Sequence, residues 1–96
     1  MSPLKRKKLN KIRSKLDKLD NSLIKLIKQR TNLVDGVLKL KDKKKEIVDN
    51  KRIKLILKNI RKKSISNKID PKITNRIWKN MIWSYIDYEK RNFKKK

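Results

Sequence analysis

The 96-residue chain contains no cysteine and no histidine. Without them it can form no disulfide, no Cys/His zinc site, no thiol nucleophile and no histidine-based triad. Glycine occurs once, at Gly36, so the glycine-rich loops that cradle nucleotide phosphates are excluded. Proline is confined to Pro3 and Pro71, and nothing between them forbids a long helix. The opening MSPLKRKKLNKIRSKL is basic but carries no uninterrupted apolar run, so neither a signal peptide nor a membrane span is encoded. The expectation is a soluble, cytoplasmic protein. Its length suffices for one small domain over 1–96 but not for a second, with basic tails at 1–8 and 94–96.

Acidic residues are also scarce: nine Asp and Glu stand against 32 Lys and Arg, giving a formal net charge of +23. A field of that sign selects anionic partners, namely nucleic acid, an acidic membrane surface or a small polyanionic substrate. The chain is rich in Lys, Ile and Asn together, which is also the drift of an AT-biased coding sequence, so part of the lysine excess need not serve binding.

What the chain does have is helical periodicity. Apolar residues fall at Leu9, Ile12, Leu16, Leu19, Leu23, Leu26, Leu33, Val37 and Leu40 in steps of three and four, and Arg30 occupies the slot between Leu26 and Leu33. The pattern predicts one helix from about Leu9 to Lys41, roughly 48 Å long. A compact monomer of this length has a radius of gyration of only about 12 to 13 Å, so the helix calls for a second chain to cover it. The segment 42–46 reads as a connector. Asp49 is placed to cap a second helix carrying Ile53, Ile56, Leu57 and Ile60, and KKSISNK breaks that pattern. Asp70 and Pro71 open a third helix, with a stripe through Trp78, Ile82 and Tyr85 ending at Glu89, and KRNFKKK is expected to fray. The fold class is therefore all-α, three helices with a very long first one, paired as an intertwined homodimer.

Several charged residues sit where surface charge alone does not put them. Arg30 has Leu26, Ile27, Leu33 and Val34 at its i±3 and i±4 positions, so it either sets the register of a coiled-coil seam or binds an anionic ligand through its guanidinium fork. Lys41, eleven residues on, lies nearly on the same helical face and is either a second anion ligand or one more solvated lysine. Arg13 is too far up the helix to share a small molecule with Arg30, about 25 Å away, but in an antiparallel dimer one subunit's Arg13 reaches the partner's Arg30. Pairing with Asp17 at i+4 is its ordinary alternative. Glu89 ends an apolar stripe with Tyr85, Ile86 and Phe93 around it. Such surroundings favour a neutral carboxyl able to donate a hydrogen bond, unless the helix end frays into solvent.

These positions together resemble the all-helical chorismate mutase family. IRSKLDKLDNSLIKLIKQR is similar to the family's opening helix, and the lysine of LKLK, the Asp and Arg of VDNKR, and the IDP turn before IWKNMI follow in family order. The resemblance runs from about Leu9 to Phe93. It implies a three-helix chain wound with its twin into a dimer, needing no cofactor and no metal. It implies further that Arg30 and the partner's Arg13 grip the two carboxylates of chorismate, that Lys41 and Glu89 meet the ether oxygen of the breaking bond, and that Asp49, Arg52 and Tyr85 line the rest of the pocket. Ile53 stands where many members have a glutamate, and Tyr85 where some have a serine. At both positions the chain resembles the isochorismate-pyruvate lyases of the same fold, which makes lyase activity the second enzymatic reading. A basic helical dimer that binds nucleic acid through KRKK, DKKKE and KRNFKKK is the non-enzymatic one.

Overall fold

The computed structural model describes residues 1–94 and is all-α over that range, with no strand. Helix α1 spans Pro3–Leu40, α2 Asn50–Ser66 and α3 Pro71–Asn92, with a single 3-10 turn at Lys44–Glu46. Three helices with a very long first one is the predicted architecture. The chain divides into two units, residues 1–33 and the remainder from Val34 onward.

The first unit is a single stretch of α1. It starts six residues before the expected Leu9 because Ser2 caps it: the Ser2 Oγ accepts from the Lys5 amide at 3.2 Å and the Ser2 carbonyl from the Arg6 amide at 2.9 Å. Pro3 then supplies a first-turn residue that needs no amide partner. The basic stretch 3–8 is thereby drawn into the helix. Within this unit Ile12, Leu16, Leu19, Leu23 and Leu26 are each between 52% and 61% exposed, since one helix has nothing of its own against which to bury a stripe.

The second unit holds the core. Leu38, Ile47, Ile82 and Ile86 are buried, and Val48, Ile53, Ile56, Leu57 and Phe93 pack around them. The predicted seam residues Val37 and Leu40 remain 50% and 80% exposed. Leu38, between them in sequence, points into the core instead, so the inward-facing side of α1 here is not the seam.

Helix α2 opens as expected, with Asp49 Oδ1 accepting from the Arg52 amide at 3.0 Å. It runs into the KKSISNK segment as far as Ser66, with Ser64 buried, before that segment ends it. The Ser64 Oγ donates to the Ile60 carbonyl at 2.6 Å and shares a hydrogen bond with Thr74 Oγ1 at 2.7 Å, tying α2 to α3. The helix closes with the Ile69 amide bonded to the Ser64 carbonyl at 2.8 Å and the Lys68 amide to the Ile65 carbonyl at 3.1 Å, which places Lys68 in the left-handed region at φ 57°. Asp70 then caps α3 by accepting from the Lys72 amide at 2.9 Å. The expectation that α3 ends at Glu89 and frays is corrected: the helix continues to Asn92 and Phe93 packs on the core. Lys95 and Lys96 of the expected basic tail lie outside the described residues. Among the described residues no helix is long and apolar enough to cross a membrane.

Candidate functional site

Lys41 and Glu89, 48 residues apart in sequence, meet in the second unit with Lys41 Nζ 3.0 Å from Glu89 Oε2. Both are set by the core. Lys41 follows the last residue of α1, and its amide closes that helix on the Leu38 carbonyl at 3.1 Å, while Glu89 lies one turn beyond buried Ile86 on α3. The Glu89 residue is only 7% exposed. This corrects the expectation that the helix end frays into solvent. The apolar neighbours on its own helix are not its whole environment, because Lys41 Nζ arrives from the end of α1 at 3.0 Å. An ion pair so far from solvent is held mainly by geometry, since desolvation offsets much of the attraction.

Beside the pair opens a hollow of about 460 Å³ lined by Lys41, Glu46, Val48, Asp49, Asn50 and Lys51. The hollow is shallow and open to solvent. Two predicted site residues, Lys41 and Asp49, thus face one space. Asp49 also has a structural task, since its carboxylate caps α2 through the Arg52 amide, and the 3-10 turn that shapes the wall is held by Glu46 Oε1 accepting from the Lys43 amide at 2.8 Å. Arg52 is exposed on the first turn of α2, and Ile53 beside it packs against the core.

Tyr85 is half-buried and lies edge-on to Tyr88, with ring centroids 6.4 Å apart and planes at 90°. Tyr88 is not among the site residues predicted from the sequence. Its hydroxyl donates to Asp35 Oδ1 at 2.7 Å, joining α3 to the C-terminal part of α1. That hydrogen bond, followed by burial and the Asp35 charge, raises the Tyr88 phenol above its ordinary value. The available signal was Tyr88's place immediately before Glu89 and Asp35's place as an isolated acid within an apolar stretch of α1.

In the first unit Arg13 is exposed and Arg30 half-buried, both on α1. Local helicity accounts for both positions, because no proline or glycine interrupts 4–35.

A family model described as chorismate mutase type II matches residues 12–90. No curated protein and no solved structure matches the chain.

Proposed function

The chain belongs to the chorismate mutase type II family, and from that premise we propose that it converts chorismate to prephenate, as a homodimer, on the route to phenylalanine and tyrosine. The observation that carries the proposal is the Lys41–Glu89 pair at 3.0 Å beside a hollow that Asp49 also lines. The reaction is an intramolecular rearrangement in which one carbon–oxygen bond breaks while one carbon–carbon bond forms. It needs no nucleophile and no proton transfer, so a chain without cysteine or histidine is sufficient.

Two tasks remain for the protein. One is to hold the reactant in its compact conformer, which converts translational and torsional freedom into rate. Arg30 and the partner's Arg13 do this by gripping the two carboxylates, with Arg52, Asp49 and Tyr85 around the ring. The other is to stabilise negative charge growing on the ether oxygen. Lys41 does that. One of its N–H groups is committed to Glu89, which fixes the ammonium in place before substrate arrives and leaves the other two to donate.

The dimer in this proposal is supported by the half-exposed stripe Ile12, Leu16, Leu19, Leu23 and Leu26. Each gains about 0.8 to 1.5 kcal/mol on full burial, since about half of the roughly 1.5 to 3 kcal/mol available to such a side chain is still outstanding.

A second reading is isochorismate-pyruvate lyase. It is favoured by Ile53, which packs on the core and offers the ring no polar group, and by Tyr85. The deciding experiment follows the loss of chorismate with purified protein, identifies the product, and runs isochorismate in parallel. Prephenate formation that Arg30→Ala removes supports the mutase. Salicylate and pyruvate from isochorismate with slow mutase turnover support the lyase, and turnover of neither overturns both.

A further inference from the structure

Two polar links among the described residues join the end of α1 to α3, and one of them involves residues assigned to the reaction. Asp35 accepts from Tyr88 at 2.7 Å, and Lys41 bonds Glu89 at 3.0 Å. On α1 the two positions are six residues apart, and on α3 they are adjacent. Between them Leu38 is buried with Ile82 and Ile86 of α3. The remaining packing in this unit is dominated by α2 against α3, and this row of contacts helps to orient the α1 end.

We infer that Asp35 and Tyr88 form a positioning clamp that sets the geometry of the Lys41–Glu89 pair. The inference rests on the proposed role of Lys41 and Glu89 for its consequence in turnover, but not for the clamp itself. Lys41 lies just past the last helical residue of α1 and owes its position to how that end is anchored. Leu38 supplies burial, which is non-directional and permits rotation about the helix axis. A hydrogen bond of 2.7 Å from a phenol to a carboxylate is directional and charge-assisted, and it fixes that rotation. On α3 itself the Tyr88 ring lies perpendicular to that of Tyr85, with centroids 6.4 Å apart. Asp35 and Tyr88 do not line the hollow that Lys41 and Asp49 share, and their contact with it runs through Lys41 and Glu89.

The test uses the fact that the chain contains only two glutamates, Glu46 and Glu89. Protein carrying a carbon-13 label at the glutamate carboxyl therefore gives two resonances, one from the exposed turn and one from the ion pair. The clamp predicts that Tyr88→Phe and Asp35→Ala each move or broaden the Glu89 resonance and leave that of Glu46 in place, whereas Asp35→Asn, whose amide oxygen still accepts from the phenol, keeps the wild-type spectrum. In kinetics the same variants lower kcat about fivefold or more with KM within about twofold, because the reactant's carboxylates are held elsewhere. A Glu89 resonance unmoved in both Tyr88→Phe and Asp35→Ala overturns the clamp, even if melting temperature falls, since that pattern belongs to a purely structural bond. Wild-type protein that turns over neither substrate removes the consequence for catalysis while the spectra still decide the clamp.

Discussion

Lys41 Nζ lies 3.0 Å from Glu89 Oε2, with side-chain exposures of 17% and 9%. The pair closes the end of α1 onto α3 and delivers a fixed cation to the edge of the hollow.

Removing one partner leaves the other charge buried alone, so Lys41→Met is expected to cost about 3 kcal/mol of stability, and Lys41→Met with Glu89→Leu to recover most of it. Thermal or urea unfolding of the three proteins checks this. Turnover separates from stability: Lys41→Met is expected to lose about a hundredfold or more in kcat with or without the second change, as when a donor to a developing charge is deleted. Glu89→Gln retains an oxygen for Lys41 and adds an N–H donor, so its turnover should remain within about tenfold of wild type. A Glu89→Gln protein as poor as Lys41→Met would mean that the full carboxylate charge is required.

Much of this arrangement was legible in the residue pattern. The Asp70–Pro71 start of α3 and the Asp49 cap of α2 carry their own chemistry, an oxygen acceptor ahead of free amides, and needed no tertiary information. The same signal at Ser2–Pro3 starts α1. What the pattern could not convey is which side of α1 the rest of the chain covers. Periodicity picks out Leu33, Val37 and Leu40 as well as it would any other stripe, whereas the core takes Leu38 and reaches past the helix for Ile47. Glu89 shows the same limit. Its sequence neighbours are apolar, and its hydrogen-bond partner arrives from 48 residues away.

Lys68 is the residue that a turn-based reading of the α2 end would replace. It sits at φ 57° with its amide on the Ile65 carbonyl, a conformation that costs a side chain about 1 kcal/mol and glycine little. Lys68→Gly should therefore raise unfolding stability by about 0.5 to 1 kcal/mol despite removing a side chain, with activity unchanged. A loss of stability in chemical denaturation would show that the lysine makes a contact that outweighs its backbone strain.

The proposed sharing of each site between subunits makes a prediction from counting. If every site takes Arg30 from one chain and Arg13 from its partner, Arg13→Ala and Arg30→Ala homodimers each have two defective sites. Unfolding and refolding them together in equal amounts gives half heterodimers, each with one intact and one doubly defective site. The mixture should recover about a quarter of wild-type activity. Recovery near zero would place both arginines in the same subunit's site or remove one of them from it.

The +23 charge makes opposite salt predictions for the two kinds of partner. Two such chains repel, and the apolar stripe on α1 must overcome that repulsion for a homodimer to form. Screening lengths fall from about 30 Å at 0.01 M salt to about 10 Å at 0.1 M, so added salt should tighten the dimer, as sedimentation equilibrium over that range would register. Binding to duplex DNA through the exposed lysines works the other way, because each neutralised phosphate releases a counterion and affinity falls steeply with salt. Arg30→Ala distinguishes the functions further. It should abolish turnover of chorismate yet leave any DNA affinity nearly untouched, since one half-buried arginine contributes little to a surface that carries so many exposed cations. DNA binding that instead disappears with Arg30→Ala would move that arginine from the proposed substrate pocket to a nucleic-acid interface, and a dimer that weakens as salt rises would mean that ion pairs, rather than the α1 stripe, hold the subunits together.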